Sequence, residues 1–336
     1  MRAFGKLVGR VLLALIVVGA ALWYFGPYED VSFDTDFDES QLDGGVQAYF
    51  DASEAQVPNI RPGNQKRVIW AGVAETKTPL SIVYLHGFSA SSEEIRPVPD
   101  DVAAALGANL VYTRFKGHGR DGDAMAEGSV PTWMADAVEA LAVARRVGKK
   151  VMIMSTSTGG TLAALALHRP ELQKDVVGVV FVSPNFGVNN SAAPMLTLPA
   201  ARYWMPLLAG KTRSFEPMNE AHGRNWTTEY PSVAVFPMAA SVKGAVQLDY
   251  SAVNIPALFH YSKEDGVVRA DITQRIASQW GGPIVTVRPA LGAGDDPMQH
   301  VISGDIASPG QTTRSVAVSY SRKLVTAQLG GISWRC

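Results

Sequence analysis

The stretch VMIMSTSTGGTLAALALHRP, residues 151–170, opens on four apolar residues, closes on an apolar run and packs hydroxyls and glycines between them. VMIM reads as a short buried strand and GGTLAALALH as a helix, so the polar knot is a strand-to-helix turn. Such a turn lifts its central side chain to the carboxyl edge of a sheet. There the next helix offers free backbone N–H groups and a partial positive charge. A nucleophilic hydroxyl needs that setting, because the oxyanion it creates must meet donors already in place. Sterics demand small residues two before and two after the central one. Centring on Ser155 puts Ile153 in such a place, and centring on Thr156 puts Met154 there; both fail. Ser157, flanked by Ser155 and Gly159, is the candidate, in a G-x-S-x-G pattern with Ser155 standing for the first glycine. Ser155 is therefore the expected place of strain.

Outward from the turn the alternation continues. KRVIWAG, LSIVYLHGF and NLVYTRF before it, and VVGVVFVSP, IPALFHYS and PIVTVRP after it, read as short β-branched and aromatic strands. Between them lie helical patterns: the proline-interrupted SEEIRPVPDDVAAALG, the amphipathic PTWMADAVEALAVARRVG, and RADITQRIASQW. The strands are nearly continuous apolar runs, which buries both faces of the sheet. The fold class is α/β, a mostly parallel sheet with helices on both faces. Residues 189–250, rich in Pro, Met and aromatics, break this rhythm and read as an inserted, mainly helical cap over the sheet's carboxyl edge.

The N-terminus carries Arg2, Lys6 and Arg10, then an uncharged run over 11–28, close to the roughly 20 residues that span a bilayer as a helix. Gly19–Ala20–Ala21 is a weak cleavage site, but Trp23, Tyr24 and Phe25 extend the run like an interfacial aromatic belt. The segment 1–28 reads as an uncleaved transmembrane anchor; were it cleaved, the protein would be secreted. The cations place the N-terminus in the cytoplasm and the rest on the non-cytoplasmic side, periplasmic or extracellular. Residues 29–65 read as a connector, acidic and solvated over 29–43, with a short helix around GGVQAYFDASEAQ. Residues 66–188 and 251–336 form the core.

With 30 Lys and Arg against 31 Asp and Glu, the near-neutral charge argues against a nucleic-acid partner. The single cysteine, Cys336, allows neither an internal disulfide nor a cysteine zinc site. No cofactor or metal is expected: RDGD, around Asp121 and Asp123, reads as a surface turn, and there is no glycine-rich phosphate loop.

Five stretches in order, YLHGFSAS, RFKGHGRDG, MSTSTGG, YSKEDGVV and His300 after the last strand, carry a resemblance. From about residue 66 onward the chain resembles the α/β-hydrolase superfamily, in particular its serine esterases and monoacylglycerol-lipase-like members. It departs from the family at Ser155, usually glycine. The family's order of nucleophile, acid and histidine implies Ser157, Asp265 and His300 as the catalytic set. Glu264 is the nearest rival for the acid, and Asp249 lies too early. His86, His118, His168, His222 and His260 all precede the acid or sit in structural places, so His300 is the implied base. The expected oxyanion donors are the backbone N–H of Thr158 and, by the resemblance, that of Phe88. The implied activity is hydrolysis of acyl esters, short- to medium-chain or monoacylglycerol. Acyl transfer, thioester or amide cleavage by the same residues is the alternative, and a non-catalytic binding protein on the same fold is the reading from another class.

Overall fold

The runs read as strands form one seven-stranded sheet. Its members are β1 (Arg67–Ile69), β2 (Thr78–Leu85), β3 (Asn109–Tyr112), β4 (Gly148–Thr156), β5 (Val176–Val182), β8 (Ala257–His260) and β9 (Ile284–Val287). The order across the sheet is β1-β3-β2-β4-β5-β8-β9. Every pairing is parallel except the β1–β3 edge. The computed structural model describes residues 2–310, and Cys336 lies outside them.

The unbroken apolar runs have a direct physical reading, because alternate side chains enter two different cores. Val83 and Leu85 of β2, Val151 and Ile153 of β4, and Val179 and Phe181 of β5 share one core. It is completed by Trp133 and Leu141 of α4 (Val130–Val147), Leu162 of α5 (Thr158–His168) and Ile276 of α9 (Ala270–Gln279). Ile82, Tyr84, Met152, Met154 and Val180 point the other way, onto Val98, Val102 and Leu106 of α3 (Val98–Leu106). The start of α4 is fixed by a capping box: Ser129 Oγ accepts the Thr132 N–H and Thr132 Oγ1 accepts the Ser129 N–H.

Residues 189–250 fold as α6 (Ala201–Ala209), α7 (Glu220–Asn225) and α8 (Val235–Val246), together with an antiparallel pair, β6 (Thr212–Ser214) and β7 (Glu229–Pro231). Three-residue strands carry no readable period, so the sequence shows the helices here and not the pair.

The connector is not the solvated tether expected. Asp34 and Asp36 do face water, at 96% and 92% exposure, but the apolar residues between and after the acids turn inward. Phe33 and Phe37 pack against the core, Leu42 is buried, and α2 (Val46–Glu54) buries Val46 and Phe50. The Arg169 guanidinium, just past α5, holds this stretch by donating to the Phe33 and Thr35 carbonyls. At the end of α2, Glu54 takes two hydrogen bonds from Arg114, 2.9 and 2.7 Å, with both side chains at most 7% exposed. Removing one partner of such a pair strands a buried charge. Glu54→Ala is therefore expected to cost about 3–5 kcal/mol, read as a lower denaturant midpoint at unchanged slope. A change under about 1 kcal/mol would match a solvent-exposed pair instead.

Before all of this stands α1 (Arg2–Phe25), apolar, exposed along its length and long enough to cross a bilayer.

Candidate active site

Strand β4 ends at Thr156 and α5 begins at Thr158, which leaves Ser157 alone at the turn with φ 49° and ψ −118°. A left-handed backbone at a non-glycine residue costs on the order of 1–3 kcal/mol and persists only where its surroundings fix it. Here they do. The Ser157 amide donates to the Val182 carbonyl, and the Ser157 carbonyl accepts from the Gly160, Thr161 and Asn185 amides. A Cβ at Gly159 would overlap the Leu85 carbonyl oxygen, so the close approach of α5 to the end of β2 requires glycine. The strain lies at Ser157 and not, as the sequence suggested, at Ser155. Ser155 remains in regular strand, and its buried hydroxyl donates to the Val180 carbonyl of β5 at 3.0 Å.

Two other strand ends complete the site. Asp265 follows β8 and His300 follows β9, the neighbour of β8 in the sheet. His300 Nδ1 lies 2.9 Å from Asp265 Oδ2, and its Nε2 lies 3.0 Å from Ser157 Oγ. With the Nδ1 proton directed at the carboxylate, Nε2 is left to accept the serine hydroxyl. The other oxygen of Asp265 accepts the Val267 and Val268 amides. Glu264 is exposed, and Asp249 caps an exposed turn at Ser251, so neither rival reaches the site.

The remaining histidines are placed elsewhere. His86 accepts the Phe115 amide within an aromatic cluster that includes His118 and Phe88. Burial pushes His118 and His260 down to about 4, so both are neutral. His222 accepts the Met218 amide in the insertion, and His168 packs on Tyr250. Asp121 accepts the Ala124 amide and an Asn59 amide proton, as a turn residue does.

Thr158 opens α5, so its N–H is among the first four that have no partner within the helix. Gly87, the residue before Phe88, comes so close that a Cβ there would lie 3.2 Å from Ser157 Cβ. The 87–88 peptide thus borders Ser157. The 189–250 segment touches the residues that follow: Tyr230 of β7 meets the Phe88 ring edge-on at 5.4 Å, and the Thr227 amide donates to the Ser89 carbonyl.

Sequence reasoning overlooked two acids. Asp296 accepts the Met298, His300 and Val301 amides and so shapes the loop that presents the histidine. The only signal was its place in GDDPMQH. Glu94 is buried behind the 87–88 turn and accepts the Gly87 amide at 2.7 Å and the Tyr84 hydroxyl at 2.8 Å. Tyr84 in turn lies 3.0 Å from Thr156 Oγ1, which ties this carboxyl to the residue before Ser157. Burial pushes Glu94 up to about 7 against these two donors and the His300 charge. Burial alone would lower His300. The hydrogen bond and charge of Asp265, with the charges of Glu94 and Asp296, outweigh it and raise His300 above the ordinary imidazole value.

A cavity of about 440 Å³ lies elsewhere, between residues 27–31 and the insertion, and none of Ser157, Asp265 or His300 lines it.

Residues 76–289, more than half of the chain, match the protein family described as serine aminopeptidase, S33. The match takes in Ser157 and Asp265 and ends before His300. No curated protein matches the chain by sequence. Among solved structures, one similar to it belongs to a pair of metagenome-derived lipolytic enzymes, at TM-score 0.63 and 18% identity over 79% of this chain and 100% of that one. The soluble variant of a monoglyceride lipase from Saccharomyces cerevisiae aligns at TM-score 0.57 and 9% identity, over 79% and 92%. The monoacylglycerol lipase of Paleococcus ferrophilus aligns at 0.54 and 14%, over 78% and 98%. Identities this low establish a shared fold.

Proposed function

This chain belongs to the serine aminopeptidase S33 family of α/β-hydrolases, and we propose that it cleaves carboxylic esters through an acyl-enzyme on Ser157. The observation that carries the reading is the continuous hydrogen-bonded chain Ser157–His300–Asp265. His300 Nε2 takes the hydroxyl proton as Ser157 Oγ attacks the acyl carbonyl, and the imidazolium is steadied by Asp265. The Phe88 and Thr158 amides hold the oxyanion. His300 then protonates the departing alcohol, deprotonates the incoming water, and the acyl group leaves as the acid. Each oxyanion donor in such a site is worth about 3–4 kcal/mol of barrier.

Short- to medium-chain acyl esters or monoacylglycerols are the proposed substrates. Support comes from the apolar insertion, whose Met238 sulfur lies 3.4 Å from Asn185 Nδ2, a residue whose amide bonds the Ser157 carbonyl. The lipases and esterases that share the fold favour the same class. The helix α1 is proposed as an uncleaved single-pass anchor, with Arg2, Lys6 and Arg10 cytoplasmic and the enzyme on the far side. The domain division is proposed as 1–28 anchor, 29–65 connector, 189–250 cap and the remainder core.

A panel of p-nitrophenyl esters graded by acyl length tests the activity, with leucine p-nitroanilide added because the family description names an aminopeptidase. Turnover confined to esters is expected; turnover confined to the anilide moves the activity to peptide bonds. A fluorophosphonate should label Ser157, and its failure to react would favour a binding protein.

The pH profile follows from the raised base. His300 must be neutral to act, so kcat/KM should climb with pH through a midpoint above 6.5, the ordinary imidazole value. Glu94 titrates near 7, so the limb belongs to the two groups together. In Glu94→Gln the amide oxygen still accepts from Gly87 and Tyr84, while one of the negative charges that raise His300 is gone. The midpoint should fall, and a profile identical to wild type would deny the coupling.

A further inference from the structure

The short helix α6 is buried on one face and exposed on the opposite face and at its C-terminal end. Ala201 and Met205 are buried against Phe236, while Tyr203, Leu207 and Leu208 stand 67%, 73% and 77% exposed. Isolated exposed apolar side chains are ordinary; three on one short helix beside a membrane-length span are not.

The end of α1 is fastened to the start of α6. The Ala200 amide donates to the Pro27 carbonyl at 2.7 Å, and a Cβ at Gly26 would lie 2.6 Å from Pro199 Cβ. Glu29 accepts two hydrogen bonds from the Arg202 guanidinium, 2.6 and 2.8 Å. Tyr28 donates its hydroxyl to the Trp23 carbonyl and lies under the Lys243 ammonium, 5.9 Å from the ring centre. These contacts run from the last turn of α1 through the linker to α6 and α8. Trp23, Tyr24 and Phe25 are exposed at the same end, where a spanning helix meets the headgroups. Exposed Lys211, just after α6, suits the anionic headgroup layer.

We propose that α6 lies in the membrane interface beside the exit of α1, with Tyr203, Leu207 and Leu208 in the acyl region of the leaflet. This rests on the reading of α1 as a membrane anchor. The cap then faces the bilayer. Because the cap also meets the oxyanion turn through Tyr230 and Thr227, a lipid-dissolved ester enters beneath it without first crossing water.

Spin labels on the full-length protein test this, with Cys336→Ser removing the native thiol. Labels are placed singly at Leu207→Cys, at Val17→Cys in α1 and at Ser278→Cys, an exposed site on α9, in phosphatidylcholine–phosphatidylglycerol vesicles. Collision with oxygen and with a water-soluble nickel chelate gives the depth of each. Oxygen-rich, nickel-poor labels at 17 and 207, with 278 in water, support the inference. Position 17 in lipid with 207 in water overturns it and leaves the anchor standing. So does position 207 shielded from both reagents, the signature of a second protein surface. Position 17 in water overturns the anchor and the inference together. Independently, Leu207→Ser with Leu208→Ser should lower kcat/KM on vesicle-embedded monoolein about tenfold or more and leave soluble p-nitrophenyl acetate unchanged. An equal loss on both substrates overturns the inference.

Discussion

Ser157→Ala is expected to lower kcat for ester hydrolysis by about five to six orders of magnitude, or about 7–8 kcal/mol, while the protein stays folded. The loss is large because the three groups act as a unit: without the oxygen, neither the imidazole nor its carboxylate has anything to activate. The residual rate would come from the oxyanion donors and substrate binding alone. The fold should survive because the strained turn is held by main-chain bonds that alanine keeps. Those are the Ser157 amide on Val182 and the three amides on the Ser157 carbonyl. Only the hydroxyl contact with His300 is lost. Burst-phase release of p-nitrophenol beside a thermal melt measures both halves. Turnover within about 100-fold of wild type, a loss of under about 3 kcal/mol, would transfer the nucleophile to another residue.

What the sequence discloses and what it conceals divide along physical lines. Strands buried on both faces are legible because unbroken apolar runs leave no polar face, and β2, β4 and β5 are such strands. The turn at Ser157 is legible because crowding there is local: the neighbours two away in the chain are also the neighbours in space. Asp265 and His300 meet across 35 residues only because β8 and β9 lie side by side in the sheet, an adjacency no local pattern encodes. Glu93 and Glu94 stand together in SSEEI, yet Glu93 pairs with Arg67 and Arg96 near the surface while Glu94 is buried under the Gly87–Phe88 turn. The connector misled for a related reason. In its acidic part, residues 29–43, acids outnumber apolar residues, but Phe33, Phe37 and Leu42 decide which side turns inward.

Asp265→Asn should lower kcat by about four orders of magnitude, near 5.4 kcal/mol, with little change in KM. Size is not the reason, since the amide is isosteric. One oxygen of the carboxylate accepts the Val267 and Val268 amides, and only the amide oxygen of asparagine can keep those two bonds. Its NH2 group must then face His300 Nδ1. Two donors cannot share a hydrogen bond, so the imidazole proton moves to Nε2, the atom that must accept from Ser157. The variant therefore holds the base in the wrong tautomer. It also lacks the partner that, against burial, raises the His300 pKa, so what activity remains should titrate at lower pH than wild type. The sign follows from the base acting only when neutral: a lower pKa frees it at lower pH. Stopped-flow turnover across the pH range, with Glu264→Gln as the control expected to behave as wild type, separates the two acids. Full activity in Asp265→Asn, or the same collapse in Glu264→Gln, would place the orienting carboxylate elsewhere.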